Sequence, residues 1–174
     1  VLHPRVFMRN MFNLSGERTL VAAIMPPLVG HVHAVYELTM KQETQLVVLG
    51  AIMASLPLDF YIRVLGKGSG GIGVLSNFPI LESTLNINLI ARVSLLNFLN
   101  SLYSELWKKI WNPEFCADNW SKQDKRLNQN HFAALTNQWN IQLPLRTDYE
   151  RRQALVEIDV LTAMALGMTL EQLK

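Results

Sequence analysis

Lys122, Lys125 and Arg126 are followed directly by Asn128, Gln129, Asn130 and His131. Cations hold backbone phosphates, and carboxamides pair bidentately with an adenine edge, so this stretch has the composition of a nucleic-acid recognition loop. Upstream, Gly66-Lys67-Gly68-Ser69-Gly70-Gly71-Ile72-Gly73 contains G-x-G-x-x-G. A dinucleotide fingerprint must follow a strand and open a helix; this one follows a helical pattern and lacks Walker spacing. It reads as an ordinary flexible loop, or as one laid against DNA with glycine amides and Lys67 facing phosphate oxygens. His31, His33 and Glu37 share a strand parity that would suit metal ligation, although a histidine pair on a strand is more often a polar edge. Cys116 and His131 lack any local signature of a cysteine nucleophile, Asp59 and Glu37 form no recognisable acid–base pair, and no Gly-x-Ser-x-Gly elbow occurs.

The remaining basic clusters, Arg5 with Arg9, Lys108 with Lys109, and Arg146 with Arg151 and Arg152, read as solvated faces. Net charge is only +2 with 16 Lys and Arg, so a nucleic-acid surface has to come from local clustering. The length of 174 residues fits one domain burying roughly 70% of its unfolded surface. Apolar content of 49% lies at the upper end for soluble proteins and suggests a face meant for another domain. The longest uncharged run, Thr44 to Leu58, is broken by Gly50 and Pro57 and falls short of the roughly 20 residues of a membrane span. No signal-peptide order is visible and Cys116 is the single cysteine, so a cytoplasmic location is expected. A chain opening at Val1 and stopping at Lys174, just past a helix start at Thr169, is expected to be a piece of a longer protein.

The elements that must position these groups follow from periodicity. Val6–Phe12 and Thr19–Met25 are apolar runs joined by Ser15-Gly16 turn chemistry, and His31–Leu38 places Val32, Ala34, Tyr36 and Leu38 on one parity. Pro26-Pro27 ends the second strand. Leu46, Leu49, Ile52, Met53, Leu56, Phe60 and Val64 predict a helix over 43–65 with one buried face, kinked by Pro57. A second long helix is predicted over 85–111, buried along Leu89, Val93, Leu96, Leu99, Leu102, Leu106 and Ile110. Residues 112–145, rich in asparagine with Trp120 and Trp139 interleaved, read mainly as loop. Thr147 with Glu150, and Thr169 with Gln172, are capping-box patterns, and Gly167 is a C-cap candidate.

Three stretches also carry a resemblance. Glu17-Arg18-Thr19 before an apolar run and proline, Ala51 to Arg63 with Asp59-Phe60, Gly66 to Gly73, and Asn77-Phe78-Pro79 match, in that order, the target-recognition region of TaqI-like adenine-specific DNA methyltransferases. Tyr149 to Leu173, with Arg151-Arg152, Glu157-Ile158-Asp159 and Ala165-Leu166-Gly167, resembles the segment that follows in large phage-defence members of that group. Together these cover roughly half of the chain. The family's Asn-Pro-Pro-Tyr catalytic element is not matched: Asn112-Pro113-Glu114-Phe115 carries Glu114 at the second proline and follows a helix, so it reads as a helix-ending turn.

The expectation is an α+β fold: a small, mainly antiparallel sheet covered by two long helices, with a loop-rich segment and a C-terminal helical segment. Residues 1–146 would form the recognition domain and 147–174 the start of a C-terminal segment. The resemblance implies duplex DNA as partner, together with the catalytic domain of the same parent chain. S-adenosylmethionine would be bound by that domain, and the fragment itself would hold no catalytic or metal site. Lys67, Ser69, Asn77, Lys122, Lys125, Arg126, Asn128 and Asn130 are the expected DNA contacts, the lysines and Arg126 on phosphate and the amides on bases. Arg18, leading into an apolar strand, is expected to pair with a carboxylate. The rival expectation is a protein-interaction module of a phage-defence complex that docks through apolar helical faces without touching DNA; a small-molecule enzyme would need a deep pocket with converging titratable groups.

Overall fold

Val6 and Met8 share a parity of the first apolar run and are fully buried, which sets the inner face of the central strand β1 (Arg5–Arg9) in the computed structural model, where residues 2–174 are described. The fold is α+β. β2 (Ala22–Met25) and β3 (Val35–Leu38) flank β1 antiparallel in the order β2-β1-β3, with Val6 opposite both Ile24 and Leu38. Both flanking strands are shorter than the runs that predict them. The Thr19 and Leu20 amides donate to Asp59 Oδ1 at 2.6 and 2.8 Å, and Val32 stands 73% exposed ahead of β3. The outer edge of β2 is closed by side chains: Ile24 N–H donates to Asn97 Oδ1 at 3.0 Å, and the Tyr103 hydroxyl donates to Ile24 O at 2.9 Å. Burial pushes that phenol up to about 12, so it remains a donor.

The helix expected over 43–65 is two, α1 (Glu43–Met53) and α2 (Leu56–Leu65), bent by 65°. The bend lies just ahead of Pro57, where Ser55 Oγ donates back to Ile52 O at 2.6 Å; the proline itself sits in the first turn of α2, where a missing N–H costs nothing. The bend exchanges faces. Every residue from Leu46 to Met53 is buried, so α1 is a core helix and not an amphipathic one. In α2, Leu58, Asp59 and Ile62 turn inward, while Leu56, Phe60 and Val64, expected inside, are 44, 68 and 68% exposed. No single helix among the described residues is long and apolar enough to cross a membrane; the bent α1–α2 pair passes that test jointly, by length and composition.

After a single turn α3 (Ile72–Leu75), the helix expected over 85–111 is likewise divided, into α4 (Asn86–Asn97), a 3-10 turn at Ser101–Tyr103, and α5 (Ser104–Ile110). Amide side chains make the break. Asn97 Nδ2 donates to Val93 O while its Oδ1 serves β2, and Asn100 Oδ1 accepts the Leu102 N–H to cap the new turn. Leu99 and Leu102 consequently leave the core face. α6 (Asp148–Ala165) starts on Thr147, whose hydroxyl oxygen accepts the Glu150 N–H at 3.2 Å; Glu150 in return accepts from that hydroxyl rather than from the Thr147 amide. Gly167, at φ 73°, ends it, and the expected Thr169–Gln172 capping box opens α7 (Leu170–Leu173). Ala154 and Ile158 of α6 belong to the same buried cluster as β1, α1 and α4, so one face of α6 packs into the core.

Candidate nucleic-acid interface

The segment from Asn112 to Arg146 is irregular apart from a 3-10 turn at Pro113–Ala117, yet it is firmly rooted. Phe115, Trp120, Leu127, Phe132, Leu135, Leu143 and Leu145 are all buried. At the root lies Arg92 of α4, 4% exposed. Its Nε donates to Glu157 at 2.6 Å, Nη1 to Asp118, and Nη2 to the Asn119 carbonyl at 2.8 Å, with the guanidinium 5.0 Å from the Phe132 ring centroid. Burial works to lower the Arg92 pKa, but Asp118 and Glu157 outweigh it and raise it. Burial opposes ionisation of Glu157 as well; Arg92, Gln153 and Ser121 prevail and hold that carboxyl below its ordinary range. Ser121 donates to Glu157 Oε1 through its amide at 2.8 Å and its hydroxyl at 2.7 Å, and Trp120 Nε1 donates to Asn128 O at 3.0 Å.

Between these tethers, Lys122, Lys125, Arg126, Asn128, Gln129 and Asn130 are exposed. Asn128 Oδ1 accepts the Asn130 N–H at 3.1 Å, an Asx-type turn that sets the direction of both amides. Arg126 grips Asp124 bidentately, Nε to Oδ1 at 3.0 Å and Nη2 to Oδ2 at 2.7 Å, and lies 3.7 Å from the Tyr149 ring centroid. Lys122 Nζ is 3.9 Å from Asp124 Oδ2 and 5.1 Å from the same ring. The excursion therefore displays Lys122 and Arg126 around one carboxylate. Trp120 is buried and Trp139 half-buried, and each donates its indole N–H to a backbone carbonyl, of Asn128 and Phe98 respectively.

The glycine loop is anchored elsewhere. Gly66, at φ 61°, caps α2; Phe12 N–H donates to Gly68 O, Gly70 N–H donates to Asn10 O at 2.8 Å, and Met11 bridges Ser69. A Cβ on Gly70 would stand 2.4 Å from Met8 Cε and 2.9 Å from Phe12 Cζ, so the loop is pressed onto the continuation of β1. Lys67, Ser69 and Asn77 are exposed, with Asn77 Nδ2 donating to Gly73 O at 2.7 Å. The loop leaves a helix and opens only the four-residue α3, which does not fit a dinucleotide cradle. The eight expected contacts thus fall on two separately rooted loops, five on the excursion and three on or beside the glycine loop.

The other candidates resolve into structural roles. His31 Nε2 and the buried Arg5 both meet Glu37, and among the described residues no group of three His, Cys, Asp or Glu is arranged for a metal. Cys116 Sγ donates to Leu135 O and His131 Nε2 lies 3.0 Å from Leu143 O, so the two serve different carbonyls. Asn112 Oδ1 accepts the Glu114 N–H, closing a helix-ending turn. Arg18 pairs with Asp159 at 3.0 Å, as expected of a structural arginine, and Asp159 also accepts the Leu56 N–H at 2.7 Å. A cavity of about 300 Å³ opens between α1 and α4, lined by Val48, Leu49, Ile80, Asn86 and Ile90; the titratable residue on its wall is Glu82, which does not make an acid–base site. Asp124, Tyr149, Arg92 and Glu157 were not among the expected contacts, and the pairs that define the root and the charge cluster, Asp124 with Tyr149 and Arg92 with Glu157, join residues 25 and 65 positions apart. The chain matches no family model, no curated protein and no solved structure.

Proposed function

We propose that this chain is the target-recognition domain of an adenine-specific DNA methyltransferase, binding duplex DNA and setting the sequence to be modified. Methyl transfer from S-adenosylmethionine belongs, in this reading, to a catalytic domain of the same parent protein. The observation that carries it is the excursion from Ser121 to His131, where buried Trp120, Leu127 and Phe132 hold a backbone that presents Lys122, Lys125, Arg126, Asn128 and Asn130 outward. Cations fix register on phosphate and preorganised amides read base edges, with little ordering entropy left to lose on binding. Lys67, Ser69 and Asn77 are assigned to a second, weaker contact on the glycine loop. Fluorescence anisotropy on mixed-sequence duplexes across a salt series tests the assignment. With three cations on phosphate, the plot of log affinity against log salt has a slope of about −3, and replacing Lys122, Lys125 and Arg126 by alanine abolishes most of it. Absence of binding at low salt, or binding without a slope, counts against the reading.

A second reading, docking of a protein surface, is favoured by one feature. Leu56, Phe60 and Val64 on α2, and Val156, Val160 and Met164 on α6, each repeat at i, i+4 and i+8 and are all at least 40% exposed. Such faces suit the catalytic domain of the parent or a partner of a defence complex. If docking is the sole role, Phe60→Lys abolishes complex formation while the anisotropy series stays flat at every salt concentration.

A further inference from the structure

We propose that Asp124 is an internal stand-in for a DNA backbone phosphate, and that Tyr149 joins Lys122 and Arg126 in the seat from which an incoming phosphate displaces it. The proposal rests on the DNA-binding reading and adds Asp124 and Tyr149 to its eight expected contacts. Three side chains converge on the Asp124 carboxylate: the bidentate Arg126 fork, the Tyr149 hydroxyl, which donates to Oδ2 at 2.8 Å, and Lys122, whose Nζ makes an ion pair at 3.9 Å. A phosphodiester is likewise a monoanion with two free oxygens, and it satisfies the same planar fork. Lys122 and Arg126 carry two positive charges against one carboxylate, and the exposed Lys125 adds a third, so the seat attracts an anion stronger than the one it holds.

Access and rigidity agree with this. The Arg126 and Lys122 side chains are 59 and 48% exposed, and the Asp124 side chain 18%. Tyr149 stands in the first turn of α6, whose Ala154 and Ile158 are locked in the core, so its ring is a fixed platform for both cations. The neighbouring acid, Glu150, is already engaged by the Asn128 amide and the Thr147 hydroxyl. Displacement need not unravel the turn, because Asp124 Oδ1 also accepts the Arg126 N–H at 3.0 Å and can keep it while the guanidinium leaves. The cost of displacement falls equally on every sequence: it shortens weak, phosphate-only encounters and leaves the ratio of affinities between sites to the base-reading amides.

Asp124→Asn keeps the size of the side chain and the oxygen that accepts the Arg126 amide. Anisotropy on a mixed duplex is expected to show affinity about fivefold higher at low salt, the size of one exposed charge pair, and a salt slope steeper by about one. Adding Tyr149→Phe, which retains the ring and removes the hydroxyl, returns part of that gain. If Asp124→Asn binds as wild type or more weakly while Arg126→Ala still weakens the wild type, Asp124 only positions Arg126; the proposal then falls and DNA binding stands. If neither wild type nor Asp124→Asn binds at low salt although circular dichroism shows both folded, the DNA reading falls, and the phosphate seat with it.

Discussion

The glycine loop and the 121–131 excursion carry the residues best suited to phosphate, but they are held in opposite ways. The glycine loop uses its backbone: Gly68 O and Gly70 N–H pair with Phe12 and Asn10, and the missing Cβ of Gly70 admits Met8 and Phe12. The excursion uses side chains, with Trp120, Leu127 and Phe132 buried and Ser121 tied to Glu157, leaving its charged and amide groups on the outside. A loop that commits backbone amides to a sheet edge has fewer to offer a phosphate, whereas one rooted by aromatics presents a full set of side chains. This is why the excursion, more than the glycine loop, is assigned the recognition role.

The largest expected effect comes from cutting the root of the excursion. Arg92→Met leaves Asp118 and Glu157 buried without their cation, a change expected to cost about 3–5 kcal/mol. Urea unfolding followed by circular dichroism checks it. A loss below about 1 kcal/mol would mean that the aromatics alone hold the segment and that the charge cluster is incidental.

What the sequence made legible follows the same division. The three strands, the Gly167 C-cap and the Thr169–Gln172 box rest on local rules, and the structure has them; that Arg18 pairs with a carboxylate was legible from its place ahead of an apolar strand, but not which carboxylate. The faces of the long helices were misread because each is interrupted by a tertiary demand: Asn97 is drawn to the edge of β2 and α2 is turned so that Asp59 reaches the Thr19 and Leu20 amides. Asp59 with Arg63 is an i, i+4 pair that periodicity could have flagged, whereas Arg92 with Glu157 and Arg18 with Asp159 join residues 65 and 141 positions apart and carry no local signal. In the excursion, exposure of the cations and amides follows polarity, but Phe132 turns inward against Arg92 and Trp120 packs on Phe132, contacts that no motif marks.

A smaller effect separates two glycines in one loop. Gly70→Ala places a methyl against the buried Met8 Cε and the Phe12 ring and is expected to cost about 1–3 kcal/mol, because both side chains must shift within a packed region to admit it. Gly68→Ala meets nothing within 4 Å and has no positive φ, so it is neutral or stabilises by about 0.4–1 kcal/mol through the unfolded chain. Thermal midpoints of the two variants measured side by side check the difference. Equal destabilisation would show that the loop demands glycine throughout, and its attachment to β1 would no longer distinguish Gly70.

The smallest effect lies in pH, where the two anchors respond with opposite sign. Glu157, at the root of the excursion, has its carboxyl held below 4.5 when folded despite burial, so its stabilisation is complete above 4.5 and is lost as pH falls through the folded value. Asp159, which ties Arg18 to the start of α2 and so supports the helix that leads into the glycine loop, is raised above 3.8 by burial, with the charge of Asp59 adding to it. Its native form holds its proton more tightly than the unfolded chain does, so it contributes stability below 3.8 that is lost as pH rises through the folded value. Urea midpoints between pH 6 and pH 3 are therefore expected to fall less steeply for Glu157→Gln than for wild type, and more steeply for Asp159→Asn. If Asp159→Asn flattens the curve instead, the Leu56 amide and Arg18 outweigh burial at that site, and both anchors belong to one electrostatic class.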